Sequence, residues 1–273
     1  MRKKIVSLAA VGALALGLAA CSSNDDKSGS SSGTGTLTVG ASAVPHAQIL
    51  NYIKDNLAAK EGLKLEVKVF DDYALQNPAL DEGSVNANFF QHKPYLDKYN
   101  QENGKNLVPV TPVHLEPLGL YSKKTKAIAD IKDGATVSFP NDATNGGRAL
   151  KLLADNGLIT LKDGVGINAT EKDVADNPKH LKFKALDAEQ LPRTLDDVDL
   201  SVINGNYALQ ADLKAKDALV LEKAEGNPYA NILVVKKGHE NDENVQKLKK
   251  LLNSPEVKQY ITDNYQGSVL AAF

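Results

Sequence analysis

The chain has 273 residues, 42% hydrophobic and 24% charged, and its 32 Lys and Arg against 34 Asp and Glu give a formal charge of −2. This is the composition of a globular chain with enough apolar side chain for a sizeable core; it excludes disorder throughout, and the near balance of charge leaves no basic field to attract nucleic acid. The single Cys excludes an intramolecular disulfide and, with five scattered His, a thiolate zinc cluster, while the length suggests two domains or one large one.

Residues 1–20 read as a secretory signal peptide: Arg2, Lys3 and Lys4 precede an uncharged apolar run from Ile5 to Ala20. That run has 16 residues, short of the about 20 that a bilayer-spanning helix needs. Leu18-Ala19-Ala20-Cys21 resembles a bacterial lipobox. The resemblance implies that Cys21 is lipidated on sulfur, becomes the mature N-terminus and anchors the protein at the extracytoplasmic face of the cell membrane. Loss of residues 1–20 removes three positive charges and leaves −5. Residues 21–35 comprise Cys21 and a Ser-, Gly- and Asp-rich stretch with nothing apolar to bury, expected to be a flexible tether. Its 14 residues after Cys21 span about 20 Å, from roughly 6 Å × √14.

From Thr36 the chain alternates. LTVGAS, PHAQILNYIKDNLAAKEG and KLEVKVF form a β-α-β unit, with Pro45 suited to a first helical turn, Ile49, Leu50, Ile53 and Leu57 at helical spacing, and Gly62 as a stop. A short helix follows over 77–83, a strand over 85–90, a helix over 92–104 and a strand LVPVTPVHL. After Pro117 come a strand TVSFP, a helix ATNGGRALKLLADNG, a strand LKFKAL, and DLSVINGNYALQAD as strand into helix. NPYANILVVKK holds another strand, and a long helical region runs on through ENVQKLKKLLNSPEVKQYITDNY. The pattern predicts an α/β fold in which helices flank mainly parallel sheets, and extended segments near 113–121 and 227–235 are expected to be two crossovers between lobes. Lobe one is expected over 36–117 and 232–273, and lobe two over 118–231.

Phe139 to Leu150, FPNDATNGGRAL, sets a strand end, polar residues and Gly146-Gly147 before a helix. Such a turn suits an anion, since a helix start offers unpaired N–H groups and glycines permit close approach. Asn145 and Arg148 are three apart and share a helical face, so one carboxylate can meet an amide and a guanidinium fork together. The same residues also suit a plain N-cap with Arg148 on a solvated face. NFFQHKPYL clusters Phe89, Phe90, His92 and Tyr95 in a chain with 5% aromatics; strand alternation sends one Phe into a core and leaves the other free to face a cleft. Tyr73 and Asn77 lie at a strand-to-helix junction, where open α/β sheets bind ligands; core packing is the better account of any single aromatic, and their shared strand-end position is what favours binding. Asn204 and Asn206 follow one strand, and Tyr229 and Asn231 sit at the return crossover. Their amides can orient a zwitterion without adding charge, or simply serve caps and turns.

The lipobox, FDDYALQNPAL, NANFFQHKPYLD, FPNDATNGGRAL, LITLKDGVG, QLPRTLDDVDLSVINGNYA and NPYANI together resemble the methionine-binding lipoproteins of the NlpA type, across nearly the whole chain. The resemblance implies a two-lobed, periplasmic-binding-protein-like fold of type II. It implies a monomer that closes over L- or D-methionine and delivers it to an ABC importer, a permease with its ATPase, without a cofactor. It assigns the ligand carboxylate to Arg148 with Asn145 helping, the side-chain pocket to Tyr73, Phe90 and Tyr95 with His92 alongside, and amide contacts to Asn204 and Asn231. Phe89 and Gly205-Asn206 depart from the pattern and bear on pocket size. The chemistry agrees: aromatic edges hold a thioether at about 0.3–1.5 kcal/mol per contact. A ligand lacking the carboxylate is expected to leave Arg148 buried and unpaired.

Three rivals remain in view, besides another apolar amino acid or a short methionine-containing peptide as ligand. Asp71, Asp72, His92 and Asp142 supply acid-base groups, but no HExxH, GxSxG or paired nucleophilic Cys assembles them into an enzyme. His46, His92, His114 and His180 have no short ligand spacing, so no metal site is expected. Two lobes alone would also serve a surface adhesin.

Overall fold

The structure, a computed structural model, describes residues 35–273. The expected signal segment, Cys21 and all of the tether but Gly35 lie outside the described residues. Among the described residues no helix is long and apolar enough to cross a membrane.

The first sheet has six strands. β1 (Leu37–Ser42) leads through α1 (Gln48–Asn56) to β2 (Leu65–Phe70), and α2 (Gln76–Asp81), β3 (Ala87–His92), α3 (Lys93–Asn103) and β4 (Leu107–Leu115) follow. Ile49, Leu50 and Ile53 are buried at the expected helical spacing, and Gly62, at φ +62°, closes the turn after α1. The chain then builds a five-stranded sheet. It holds β5 (Gly119–Tyr121), β6 (Thr136–Pro140), α4 (Ala143–Asp155), the hairpin β7 (Thr160–Leu161) with β8 (Val174–Asp176), β9 (Lys182–Leu186), β10 (Leu200–Ile203), α5 (Gly205–Gln210) and β11 (Val220–Leu221). It returns as β12 (Asn231–Lys236), α6 (Glu243–Leu252), α7 (Pro255–Tyr265) and β13 (Leu270–Ala271). The strand orders are β13-β4-β12-β3-β1-β2 and β11-β5-β10-β6-β9, with β7 and β8 paired apart.

Each sheet and its helices form one lobe of a two-lobed α/β fold. Val39, Ile49, Phe89, Leu233, Leu248 and Ile261 belong to the core of the first, and Leu120, Val137, Leu150, Leu153 and Val202 to that of the second.

The sheets are mixed where mainly parallel ones were expected. β2-β1-β3 and β9-β6-β10 run parallel, as helical crossovers require, but β12 is antiparallel to β3 and β4, β13 to β4, and β5 to β10 and β11. The strand that enters each sheet after a passage, β5 in one and β12 in the other, runs against the parallel set, and so does the C-terminal β13. The expected long C-terminal helix is two helices, because Ser254 caps α7 through Val257 N and Pro255 occupies its first turn.

Candidate functional site

The six-stranded lobe supplies rings. Tyr73 opens a 3-10 helix, Tyr73–Leu75, capped by Asp72, whose side chain accepts from Ala74 N at 2.8 Å. Alternation along β3 divides its phenylalanines as expected: Phe89 lies in the core and Phe90 lines a cleft. Tyr73, Phe90 and Tyr95 form a cluster with centroid separations of 5.7 to 6.1 Å. His92 ends β3 and caps α3, its Nδ1 accepting from Tyr95 N at 3.2 Å. In the neutral ring the proton therefore sits on Nε2, which donates to Asn145 Oδ1 at 3.2 Å. Burial, and then the charge of Arg148, push the His92 pKa down to about 3, so the ring stays neutral. Asn77, in contrast, turns into a buried amide cluster with Asn88 and Gln91.

The five-stranded lobe supplies the cation. Asp142 caps α4, accepting from Asn145 N at 2.9 Å and Asn145 Nδ2 at 2.9 Å, so the helix start is already served by a carboxylate of the chain itself. This corrects the anion-turn expectation, as does the use of the glycines. A Cβ on Gly147 would lie 2.2 Å from Ile167 O and one on Gly146 3.0 Å from Pro140 O, so they admit neighbouring backbone. Arg148, 4% exposed, is not on a solvated face. Its Nε and Nη2 donate to Glu222 at 2.9 and 2.5 Å, Nη2 also to Glu116 O at 3.0 Å, and the guanidinium stacks 4.2 Å from the Tyr229 ring centre. The expectation that Arg148 is unpaired without a ligand carboxylate is therefore wrong: Glu222 holds one edge of the fork. Nη1 makes no hydrogen bond to the described residues and is available to a second acceptor.

Between the lobes, Glu116 follows β4 and is buried with His46 and His114. His114 Nε2 lies 2.6 Å and His46 Nε2 3.4 Å from Glu116 Oε1, and His46 Nε2 is 3.1 Å from Asn231 Oδ1. Burial lowers both imidazoles and raises the Glu116 carboxyl, which His46 and Arg148 pull back down. Sequence spacing gave no sign of this cluster, whose three donors lie within 4.8 Å of one another. An ion about 2.0–2.2 Å from each donor requires wider spacing than 2.6 Å, and ligating imidazoles need acceptors for their second N–H. His114 Nδ1 has no partner among the described residues, so the geometry is that of a hydrogen-bonded cluster.

Tyr73, Phe90, His92, Tyr95, Asn145, Arg148, Asn204 and Asn231 all line one cavity, of about 350 Å³ including its opening. Gln91, Glu116, Gly205 and Asn206 complete the lining. Two polar atoms there are buried without partners, Asn204 Oδ1 and Asn206 Nδ2, one acceptor and one donor. A buried polar group left unpaired costs about 1–3 kcal/mol, so each is a position where a group in the cavity, water or ligand, is held. With Nη1 of Arg148, the cavity offers donors to a carboxylate, an acceptor to an ammonium and three rings to an apolar side chain. A larger surface hollow beside Asp71, Glu189 and Arg193, about 900 Å³, has no buried charged side chain. Of the residues missed, Glu116 had a signal, as a lone acid in the apolar crossover HLEPL; Glu222, 74 positions from Arg148, had none.

The family model for NlpA lipoprotein matches residues 37–273. The chain is 42% identical to the D-methionine-binding lipoprotein MetQ of Escherichia coli (strain K12), over 99% of both chains. It is 42% identical to the methionine-binding lipoprotein MetQ of Bacillus subtilis (strain 168), over 93% of both. A nutrient binding protein from Burkholderia cenocepacia, solved bound to methionine, superposes with a TM-score of 0.85 at 44% identity, covering 87% of this chain and 100% of that one. By sequence and fold, the chain belongs to the NlpA lipoprotein family.

Proposed function

We propose that this protein is a solute-binding lipoprotein, anchored through Cys21 at the extracytoplasmic face of the membrane, that captures methionine and passes it as a monomer to the permease and ATPase of an ABC importer. The observation that carries the reading is the convergence of groups from both sheets on one cavity, with Arg148 from one side and the Tyr73, Phe90 and Tyr95 rings from the other. The lobes are taken as 36–117 with 232–273, and 118–231. The ligand carboxylate meets Arg148 Nη1 and Asn206 Nδ2, its ammonium meets Asn204 Oδ1 and the Glu116 carboxylate, and its thioether lies among the rings. Asn145 acts indirectly: His92 and Asn204 both donate to its Oδ1, so it ties the two walls together. Binding energy from both lobes is collected only when the cleft is shut, so the ligand favours the closed form.

The reading makes the protein a carrier that returns its ligand unchanged. Mass spectrometry of the small molecule that co-purifies is expected to find methionine, and chiral analysis then assigns its hand. Recovery of a different amino acid or a peptide would reassign the ligand. A ligand-free protein that neither binds methionine nor contracts with it in solution scattering would refute the proposal.

A further inference from the structure

Beyond the cavity, a second set of contacts joins the lobes at the cleft mouth. Tyr207, in α5 of the five-stranded lobe, is 4% exposed and its ring belongs to a cluster with Leu191, Ile203 and Ala208. Its hydroxyl leaves that cluster and donates to the backbone carbonyl of Asp71 at 2.8 Å, just past β2 of the six-stranded lobe. The ring lies 4.9 Å from that of Tyr73, whose hydroxyl donates to Asn206 Oδ1. Tyr207 is absent from the cavity lining, so its bond to Asp71 is independent of ligand chemistry. An anchored ring fixes where the hydroxyl points, and a backbone acceptor fixes what it meets, so the pair forms in one relative position of the lobes.

We propose that Tyr207 is a positioning residue, a clasp that holds the cleft shut over its occupant through Asp71 O and so sets how slowly ligand leaves. The inference rests on the methionine-carrier reading for its ligand but not for its geometry. Opening the cleft breaks the bond, whereas the encounter of ligand with the open form does not involve it. Loss of the hydroxyl therefore acts on dissociation.

Tyr207→Phe keeps the ring and removes the one bond. In stopped-flow displacement of methionine it is expected to raise the dissociation rate roughly two- to tenfold, the range of one net hydrogen bond, with the association rate within about twofold of wild type. A dissociation rate equal to wild type, or a change carried by association together with a lowered melting temperature, would overturn the clasp. A ligand-independent arm uses spin labels on Lys60→Cys and Lys184→Cys, exposed sites on the two lobes. Added to that pair, Tyr207→Phe is expected to shift the distance distribution toward the open form, and identical distributions would overturn the clasp. Failure of wild type to bind methionine would sink the carrier reading alone, leaving the distance measurement to decide the clasp.

Discussion

Arg148→Ala separates what the cation does for the fold from what it does for the ligand. In the folded protein it makes two hydrogen bonds to Glu222, one to the Glu116 carbonyl and a stack on Tyr229. Removing one partner of a buried pair costs about 3–5 kcal/mol, because the other charge is left without compensation. The Glu222 side chain is 15% exposed and can regain some water, so the lower end, about 3 kcal/mol, applies. At about 2–4 °C per kcal/mol for a body of this size, the melting temperature should fall by roughly 6–12 °C. Binding loses a charged hydrogen bond of about 1.5–3 kcal/mol, so methionine affinity should fall roughly 10- to 150-fold. Differential scanning calorimetry gives the first quantity, and titration calorimetry at a temperature where the variant is folded gives the second. Unchanged affinity in a folded variant would refute the carboxylate assignment, and an unchanged melting temperature would refute the account of the buried pair. Arg148→Lys should also bind weakly, since one ammonium cannot serve Glu222 and a ligand along two edges.

The two adjacent phenylalanines should respond differently: Phe89→Ala loses about 3–5 kcal/mol in denaturant unfolding, whereas Phe90→Ala chiefly weakens methionine binding, by up to about tenfold. Equal stability losses would contradict their assignment to core and cleft. Acid should destabilise the fold through His46, His92 and His114, whose pKa values, about 4, about 3 and about 3, lie below the unfolded value of 6.5. The unfolded chain takes up protons first, so stability is full above that value and falls as pH drops below it, by on the order of 1 kcal/mol for each ring at pH 5.5. Glu116, raised by burial, opposes the trend. A melting temperature that stayed flat or rose from pH 7 to 5.5 would contradict burial of neutral imidazoles.

Where local pattern decides the structure, the sequence was informative. The spacing of Ile49, Leu50 and Ile53 marked α1, and the alternation of Phe89 and Phe90 divided core from cleft. Strand direction was less legible, because it depends on where the chain returns between sheets rather than on side-chain period, and two- or three-residue strands such as β5, β11 and β13 are too short to carry a period. The eight candidate residues came together on one cavity, but their charge partners did not announce themselves. Glu222 reaches Arg148, and His46 reaches Glu116, only through the tertiary fold. The C-terminal break had a local signal in Ser254-Pro255, a cap followed by a first-turn proline.

Capture of methionine through its carboxylate, by Arg148 and the rings opposite it, is tested most directly by titration calorimetry of ligand-free protein. Methionine is compared there with 3-(methylthio)propylamine, the same molecule without its carboxylate. Methionine is expected to bind saturably at one site per chain, and the amine at least about tenfold more weakly, a difference of about 1.4 kcal/mol or more. Equal affinity for the two, or no binding of methionine by the folded, ligand-free protein, would contradict that assignment.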